Sequence, residues 1–213
     1  MKTIELIQGS QEWLDVRAKH FTASEAPAML GMSKYTTRQQ LLAQKATGYT
    51  EDVDASKQRL FDRGHDAEAA ARPIVEEVIE DDLYPVTGSA VIEGLPLLAS
   101  FDGITMDESI VWEHKLLNSA LAAAVDSGEV PDAYWPQLEQ QLLVSGANEA
   151  FFVTSDGTAE NMHGCWYASV PARRAQLIAG WKQFAEDLAA YQHIEVIPAA
   201  VAAPVEDLPA VFV

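Results

Sequence analysis

At 213 residues, 48% of them apolar and 22% charged, the chain is sized for one domain with a substantial core, which excludes wholesale disorder. No apolar run approaches the roughly 20 residues that span a bilayer, and the opening MKTIELIQGSQEW lacks a secretory core. A single cysteine, Cys165, excludes internal disulfides and multi-thiolate zinc or iron–sulfur sites. The net charge of −18 speaks against a uniformly basic nucleic-acid surface, but it is unevenly spread: residues 1–75 hold 10 of the 14 Lys/Arg and 10 of the 32 Asp/Glu, so the whole excess lies beyond them. One face can attract phosphates while the rest repels nonspecific contacts. The expected compartment is the cytoplasm, with no membrane association.

In chain order, the first 47 residues read as helices broken by turns. One starts near Ser10 in SQEWLDVR, one near Thr22–Ser24, and one in TTRQQLLAQKATG ends at Gly48. The polar, acidic stretch Tyr49–Ser56 reads as a surface loop. From Lys57 to about Asp82 apolar residues recur at helical spacing, and Pro73 is expected to kink or restart that helix. Three segments rich in β-branched residues follow near Ser89–Ile92, Leu97–Ile104 and Ile110–Leu117, with Glu93-Gly94 and Met106–Ser109 as turns. A helix is expected from about Asp132 to Ser145, stopped by Gly146. Strands at Ala150–Thr154 and His163–Val170 then precede an amphipathic helix from Pro171 to about Tyr191. The order describes a mixed α/β domain, 1–195, with a helical N-terminal part over 1–56, an αβββαββα core over 57–195, and an extended tail over 196–213.

The informative region is Ser100-Phe101-Asp102-Gly103 followed by Trp112-Glu113-His114-Lys115. A four-residue loop at 106–109 pairs residue 105 with 110 and therefore Asp102 with Glu113, their Cβ atoms about 5 Å apart on one face. Lys115, two residues past Glu113, shares that face. Like charges in direct opposition call for compensation, and a divalent cation such as Mg²⁺ provides it through hard carboxylate ligands. The competing reading is a surface strand of alternating charge. Glu68 in RGHDAEAAAR sits where it can reach the hairpin face, or simply pairs with Arg72 four residues on. Gln137, Gln140 and Gln141 form a polar stripe that could hold a water or a phosphate, or face solvent. Trp13 reads as a core anchor for its helix, Cys165 as a buried apolar side chain, and His20, His65, His163 and His193 as structural.

Together these segments resemble the lambda-exonuclease family, the YqaJ-like viral recombinase nucleases of the PD-(D/E)XK fold. The matching stretches are QGSQEWLDVR (8–17), TASE (22–25), RGHDAE (63–68), SFDG (100–103), EHK (113–115) and YWPQLEQQ (134–141), in family order. The resemblance implies a central mixed sheet flanked by helices. The implied activity is that of a Mg²⁺-dependent exonuclease, with Mn²⁺ as substitute, that digests the 5′-ended strand of linear duplex DNA and leaves a 3′ overhang. Glu68, Asp102 and Glu113 would be metal ligands, with the backbone carbonyl of His114 a further one. Lys115 would be the catalytic lysine, acting with Asp102, Glu113 and Gln137. Arg17, Ser24 and Ser100 match positions that contact the terminal 5′ phosphate. The family's pattern is a ring-shaped homotrimer that threads duplex DNA ends and works with a single-strand annealing protein in a bacterial host cell, encoded by host, phage or prophage. Pro73, close behind Glu68, and residues 192–213 depart from the pattern.

Ser24 is expected as the N-cap of a helix with Pro27 in its first turn, whose free amides would form an anion site beside the Arg17 guanidinium. Plain capping, and an Arg17 ion pair with Asp15 or Glu12, compete with that reading. Two other functions stay open: an endonuclease or repair nuclease of the same fold, and a catalytically inactive recombination scaffold.

Overall fold

The computed structural model describes residues 1–6, 10–48 and 55–191. The expected loop at Tyr49–Ser56 lies outside them except for its last two residues, and the tail at 196–213 lies wholly outside, as does His193.

One mixed seven-stranded sheet organises the chain. Its strands are β1 (Lys2–Ile4), β2 (Phe21–Thr22), β3 (Tyr84–Ile92), β4 (Leu95–Ile104), β5 (Ile110–Leu116), β6 (Glu149–Ser155) and β7 (His163–Ala168). The order is β1-β3-β4-β5-β6-β7, with the short β2 paired to β4. β5 pairs β6 in parallel over its whole length and β2 runs parallel to β4; the other neighbours are antiparallel. The helices are α1 (Gln11–Ala18), α2 (Ala26–Met29), α3 (Arg38–Thr47), α4 (Ala55–Ile79), α5 (Ser119–Asp126), α6 (Trp135–Ser145) and α7 (Pro171–Ala189).

The sheet buries both faces. The larger core joins Phe21, Met29, Leu97, Phe101, Val111, Leu121, Leu138, Leu142, Phe152, Trp181 and Phe184, which draws helices α2, α5, α6 and α7 to one side. The smaller core packs Ala71 and Val75 of α4 on Trp112, Phe151 and Val153. The turn after β6 presses on α4: a Cβ on Gly157, whose φ is +94°, would stand 3.2 Å from the Ala67 backbone, one residue before Glu68.

The expected α/β class holds, with local corrections, the first that β3 starts at Tyr84 rather than near Ser89. β1 and β2 enter the supposedly all-helical N-terminal part; at 3 and 2 residues they are too short for any period to show. α5 was not anticipated, although Asn118 caps it by accepting the Leu121 N–H at 2.9 Å and its interior is rich in alanine. Pro73 does not restart α4, which runs unbroken from Ala55 to Ile79. The lost bond costs about 3 kcal/mol, and the complete burial of Ala71 and Val75 on either side of the proline offsets it. Trp13 is no core anchor: α1 has no buried residue, and the indole instead carries the Arg17 guanidinium 4.6 Å from its ring centre.

Candidate active site

The site forms where β4 and β5 part. Their ladder joins Gly103 to Trp112 and Ile104 to Val111, the register that sets Asp102 next in line with Glu113. There the Asp102 side chain replaces the ladder: its Oδ2 accepts the backbone N–H of His114 at 2.7 Å. On the other edge, Tyr84 pairs with Ile104 and Val86 with Phe101, so Asp102 and Gly103 together oppose the single Pro85. A proline, which offers no amide, suits such a bulge, and bulges re-aim side chains beside functional sites. Gly103 is required here, because a Cβ would meet Leu83 at 2.8 Å and Trp112 at 3.1 Å.

Glu113 is 2% exposed and held by three donors. Lys115 Nζ and Gln137 Nε2 (2.6 Å) donate to Oε1, and Gln141 Nε2 (2.6 Å) donates to Oε2 while also reaching the Ser100 carbonyl at 3.0 Å. α6 delivers both glutamines because they lie four residues, or about one turn, apart. The third member of the expected stripe points elsewhere. Gln140 bolts the core, donating to the carbonyls of Phe21 (2.7 Å) and Leu98 (3.0 Å) and accepting the Trp181 indole N–H (2.7 Å).

Glu68 approaches from α4. Arg72 donates to it at 3.0 Å, the expected i,i+4 pair, and the same Nη2 reaches the Asp102 carbonyl at 3.1 Å. The three carboxyl groups feel one another. Burial, then Glu113 and Glu68, raise the Asp102 carboxyl well above the usual range, with Lys115 and the His114 amide pulling the other way. Burial also raises Glu68; Arg72 opposes this and Glu113 adds to it. Burial pulls the Lys115 ammonium down, but Glu113 and Asp102 outweigh it and its pKa ends above the ordinary value. The His114 ring lies on the opposite face, 2.8 Å from Ser155 Oγ, and burial with the Lys115 charge lowers it to about 4.

This donor set fits a hard divalent cation: Asp102 and Glu68, each raised by burial and by the Glu113 charge, gain from added positive charge beside them. The His114 carbonyl shares an edge with its N–H, as extended backbone dictates, and so faces Asp102. Among the described residues no three His, Cys, Asp or Glu side chains are placed to enclose a metal together. Arg72 and the donors around Glu113 occupy the carboxylate oxygens instead.

The phosphate candidates come together in part. Arg17 Nη2 lies 3.4 Å from Ser24 Oγ, 3.5 Å from Thr22 Oγ1 and 3.8 Å from Glu25, so its anionic neighbour is Glu25 rather than Asp15 or Glu12. Ser24 is not an N-cap. It lies inside a 3₁₀ turn, Ala23–Glu25, whose capping box joins Thr22 and Glu25, and α2 beyond it is only four residues long. The expected anion site on helix amides therefore does not form, and what remains is the Arg17 fork and the exposed Ser24 hydroxyl. Lys45 braces this corner by donating to the Arg17 and His20 carbonyls (2.9 and 2.8 Å) and to Glu25 (2.9 Å). Ser100 Oγ bonds Thr87 Oγ1 at 3.1 Å. The parallel pairing of Thr22 with Leu98 places Ser24 and Ser100 at the same end of the sheet, beside Asp102. Sequence reasoning missed the roles of Thr22, Glu25 and Lys45; the T-x-x-E capping pattern at 22–25 could have signalled the first two, and no local pattern signals Lys45.

Comparison with known proteins bears on this arrangement. The model of the YqaJ-like viral recombinase domain matches residues 12–148, a span that contains every candidate residue from Arg17 to Gln141. No curated protein matches the sequence. Among solved structures, an alkaline exonuclease from Laribacter hongkongensis (LHK-Exo) is 24% identical, with a TM-score of 0.68 over 85% of this chain and 93% of that one. The same values hold for its complex with dAMP. A phage-related exonuclease from Haemophilus somnus 129PT shares 9% identity and a TM-score of 0.56 over 83% of this chain and 98% of that one. These likenesses carry the PD-(D/E)XK fold, a central mixed sheet flanked by helices. With well over half its length matched by the family model, this chain belongs to the YqaJ-like viral recombinase domain family.

Proposed function

We propose that the protein is a Mg²⁺-dependent exonuclease that degrades the 5′-ended strand of linear duplex DNA and leaves a 3′ overhang for recombination by single-strand annealing. The observation that carries this reading is the meeting of Asp102, Glu113, Lys115 and Gln137 at the fork of β4 and β5, in a chain of this family. The exonuclease names of LHK-Exo and the Haemophilus protein support it.

Asp102, Glu113 and the His114 carbonyl would hold the metal, with Glu68 joining once released by Arg72. Bound there, Mg²⁺ supplies Lewis-acid charge to a phosphoryl oxygen. Lys115, with its pKa raised by the carboxylates, stays protonated at neutral pH. It therefore acts as a donor that orients the attacking water or stabilises charge on the phosphate, rather than as a base. Gln137 can hand its amide N–H from Glu113 to the nucleophilic water without adding charge. The Arg17 guanidinium, stacked on Trp13 and beside the Ser24 hydroxyl, would receive the 5′ phosphate as a bidentate fork, with Ser100 a further contact to it.

A digest of linear DNA labelled separately at its 5′ and 3′ ends, with and without Mg²⁺, tests the reading. Early loss of the 5′ label, only with metal, and sparing of closed circular DNA are expected. Cutting of closed circles points to an endonuclease, and no cleavage points to a scaffold. Ends carrying a 5′ phosphate should be digested faster than 5′ hydroxyl ends, a preference that Arg17→Ala removes. The proposed assembly is a homotrimer that encircles DNA, since encirclement retains DNA despite a net charge of −18. A monomer on sedimentation at micromolar concentration overturns it. Co-purification of an annealing protein tests the partner.

A further inference from the structure

Two fully buried polar side chains on the face of Glu113 and Lys115 carry an oxygen with no hydrogen-bond partner among the described residues: Gln141 Oε1 and Thr154 Oγ1. Gln141 already serves the site through its amide nitrogen. Thr154 does nothing visible. It is 0% exposed on β6, where valine would fill the same volume without leaving a hydroxyl unsatisfied.

Its position is informative. Thr154 is the direct partner of Lys115 in the parallel β5–β6 ladder, so their side chains leave the sheet on one face from strands about 4.8 Å apart. The alternation is consistent: Phe152, two residues earlier, lies in the larger core on that face, and Ser155 reaches His114 on the other. The Lys115 ammonium has three N–H donors, and Glu113 Oε1 accepts from it while also accepting from Gln137. A carboxylate that turns to a cation releases its donors. The ammonium, on a flexible four-carbon stem, then needs another acceptor or drifts into solvent.

We propose that Thr154 is a positioning residue whose Oγ1 accepts a hydrogen bond from Lys115 Nζ when Glu113 is committed elsewhere. The inference rests on the nuclease reading for its consequence but not for its geometry. Lys115 then alternates between two acceptors on one face, Glu113 Oε1 in the free site and Thr154 Oγ1 in the loaded one, and its nitrogen stays beside the scissile phosphate throughout.

Two measurements test this. In a crystal structure of Glu113→Gln, where the carboxylate that accepts from Lys115 is gone, Nζ is expected within about 2.7–3.2 Å of Thr154 Oγ1. A nitrogen still on the residue 113 amide, moved to the Asp102 carboxylate, or turned to solvent, overturns the proposal whether or not the protein is a nuclease. In nucleotide release from linear duplex DNA, Thr154→Val should lower kcat by about tenfold to a hundredfold at unchanged KM and unchanged or higher melting temperature. Thr154→Ser should restore kcat to within about twofold, and in a Lys115→Ala background Thr154→Val should have no further effect. Wild-type kcat in Thr154→Val, or an equal loss in the Lys115→Ala background, overturns the proposal. An unmodified protein that releases no nucleotide refutes the nuclease reading, and the crystal structure then decides the proposal alone.

Discussion

Among the described residues two glutamates are almost completely withdrawn from water, Glu113 on β5 at 2% exposure and Glu139 on α6 at 0%. Both are richly hydrogen-bonded, yet their surroundings differ in kind. Glu139 accepts from Tyr167 Oη (2.9 Å), Ser169 Oγ (2.9 Å), the Val170 amide (2.6 Å) and Arg174 Nε (3.2 Å). Those donors lie on β7, on the segment after it and on the first turn of α7, so the carboxylate ties three elements together. Burial, then the Glu139 charge, raises the Tyr167 hydroxyl against the pull of Arg173, and keeps it a donor. Glu113 instead shares its space with Asp102 and Glu68, and its cationic partner Lys115 keeps 29% of its side chain open to solvent. One arrangement is closed and compensated. The other gathers like charges and stays accessible, as a site that awaits a cation and a phosphate would.

The contrast predicts opposite outcomes for the two residues. Glu113→Gln should reduce nucleotide release from linear DNA by about a thousandfold or more, since metal-assisted and electrostatic terms are each of that order. Its melting temperature should not fall, because one of the crowded charges is gone. Asp102→Asn should behave alike. A variant of Glu113 that melts lower and keeps its turnover would erase the distinction. Glu139→Ala should do the reverse, costing about 3–5 kcal/mol in denaturant unfolding because it strands buried donors. Activity per folded molecule should be retained.

Acid sharpens the comparison on the Glu113 side. His114 titrates at about 4 in the folded protein against 6.5 unfolded, so below pH 6.5 the unfolded chain binds the proton that the native ring refuses. Stability tied to this ring is whole above pH 6.5 and is lost as pH falls towards 4, by at most about 3 kcal/mol. Asp102, raised in the folded state, works in the opposite direction. The measurement is therefore the difference in unfolding free energy between wild type and His114→Gln across that range. A flat difference would mean that the ring is not held neutral.

Much of this was legible in the chain because it depends on local rules. The four-residue loop at 106–109 fixed the register that aligns Asp102 with Glu113, and period-two alternation placed Lys115 beside them. Segments capped by specific residues, such as Thr37 before α3, also stood where expected. What escaped depends on tertiary context. The bulge that aims Asp102 is set by Pro85 on a neighbouring strand, which no local pattern reveals. Gln140 and Gln141 read as one stripe, but α6 is buried on several sides, so adjacent glutamines serve the core and the site separately. Ser24 looked like a cap because Pro27 follows it, yet Thr22 and Glu25 form the stronger reciprocal box. Glu139 gave no sign at all, since a lone glutamate in a helix ordinarily faces water.

The smallest expected effect asks what holds the Glu139 carboxylate in place. Its only cationic hydrogen-bond partner among the described residues is Arg174, at 3.2 Å and with 32% of its side chain exposed. If that ion pair held the carboxylate, its removal would leave an uncompensated buried charge and cost several kcal/mol. The geometry favours another agent. Val170 is the N-cap of the 19-residue helix α7, and its amide makes the shortest contact with Glu139, so the carboxylate sits at the positive end of that helix. Such an end stabilises an anion by about 0.3–2 kcal/mol, in addition to the direct bonds from Tyr167 and Ser169. Arg174→Ala should then cost only about 1 kcal/mol, the value of a half-exposed pair, and leave turnover unchanged. A loss above about 3 kcal/mol would show that Glu139, like Glu113, depends on a cation at its side, and the line drawn between the two glutamates would have to rest on accessibility alone.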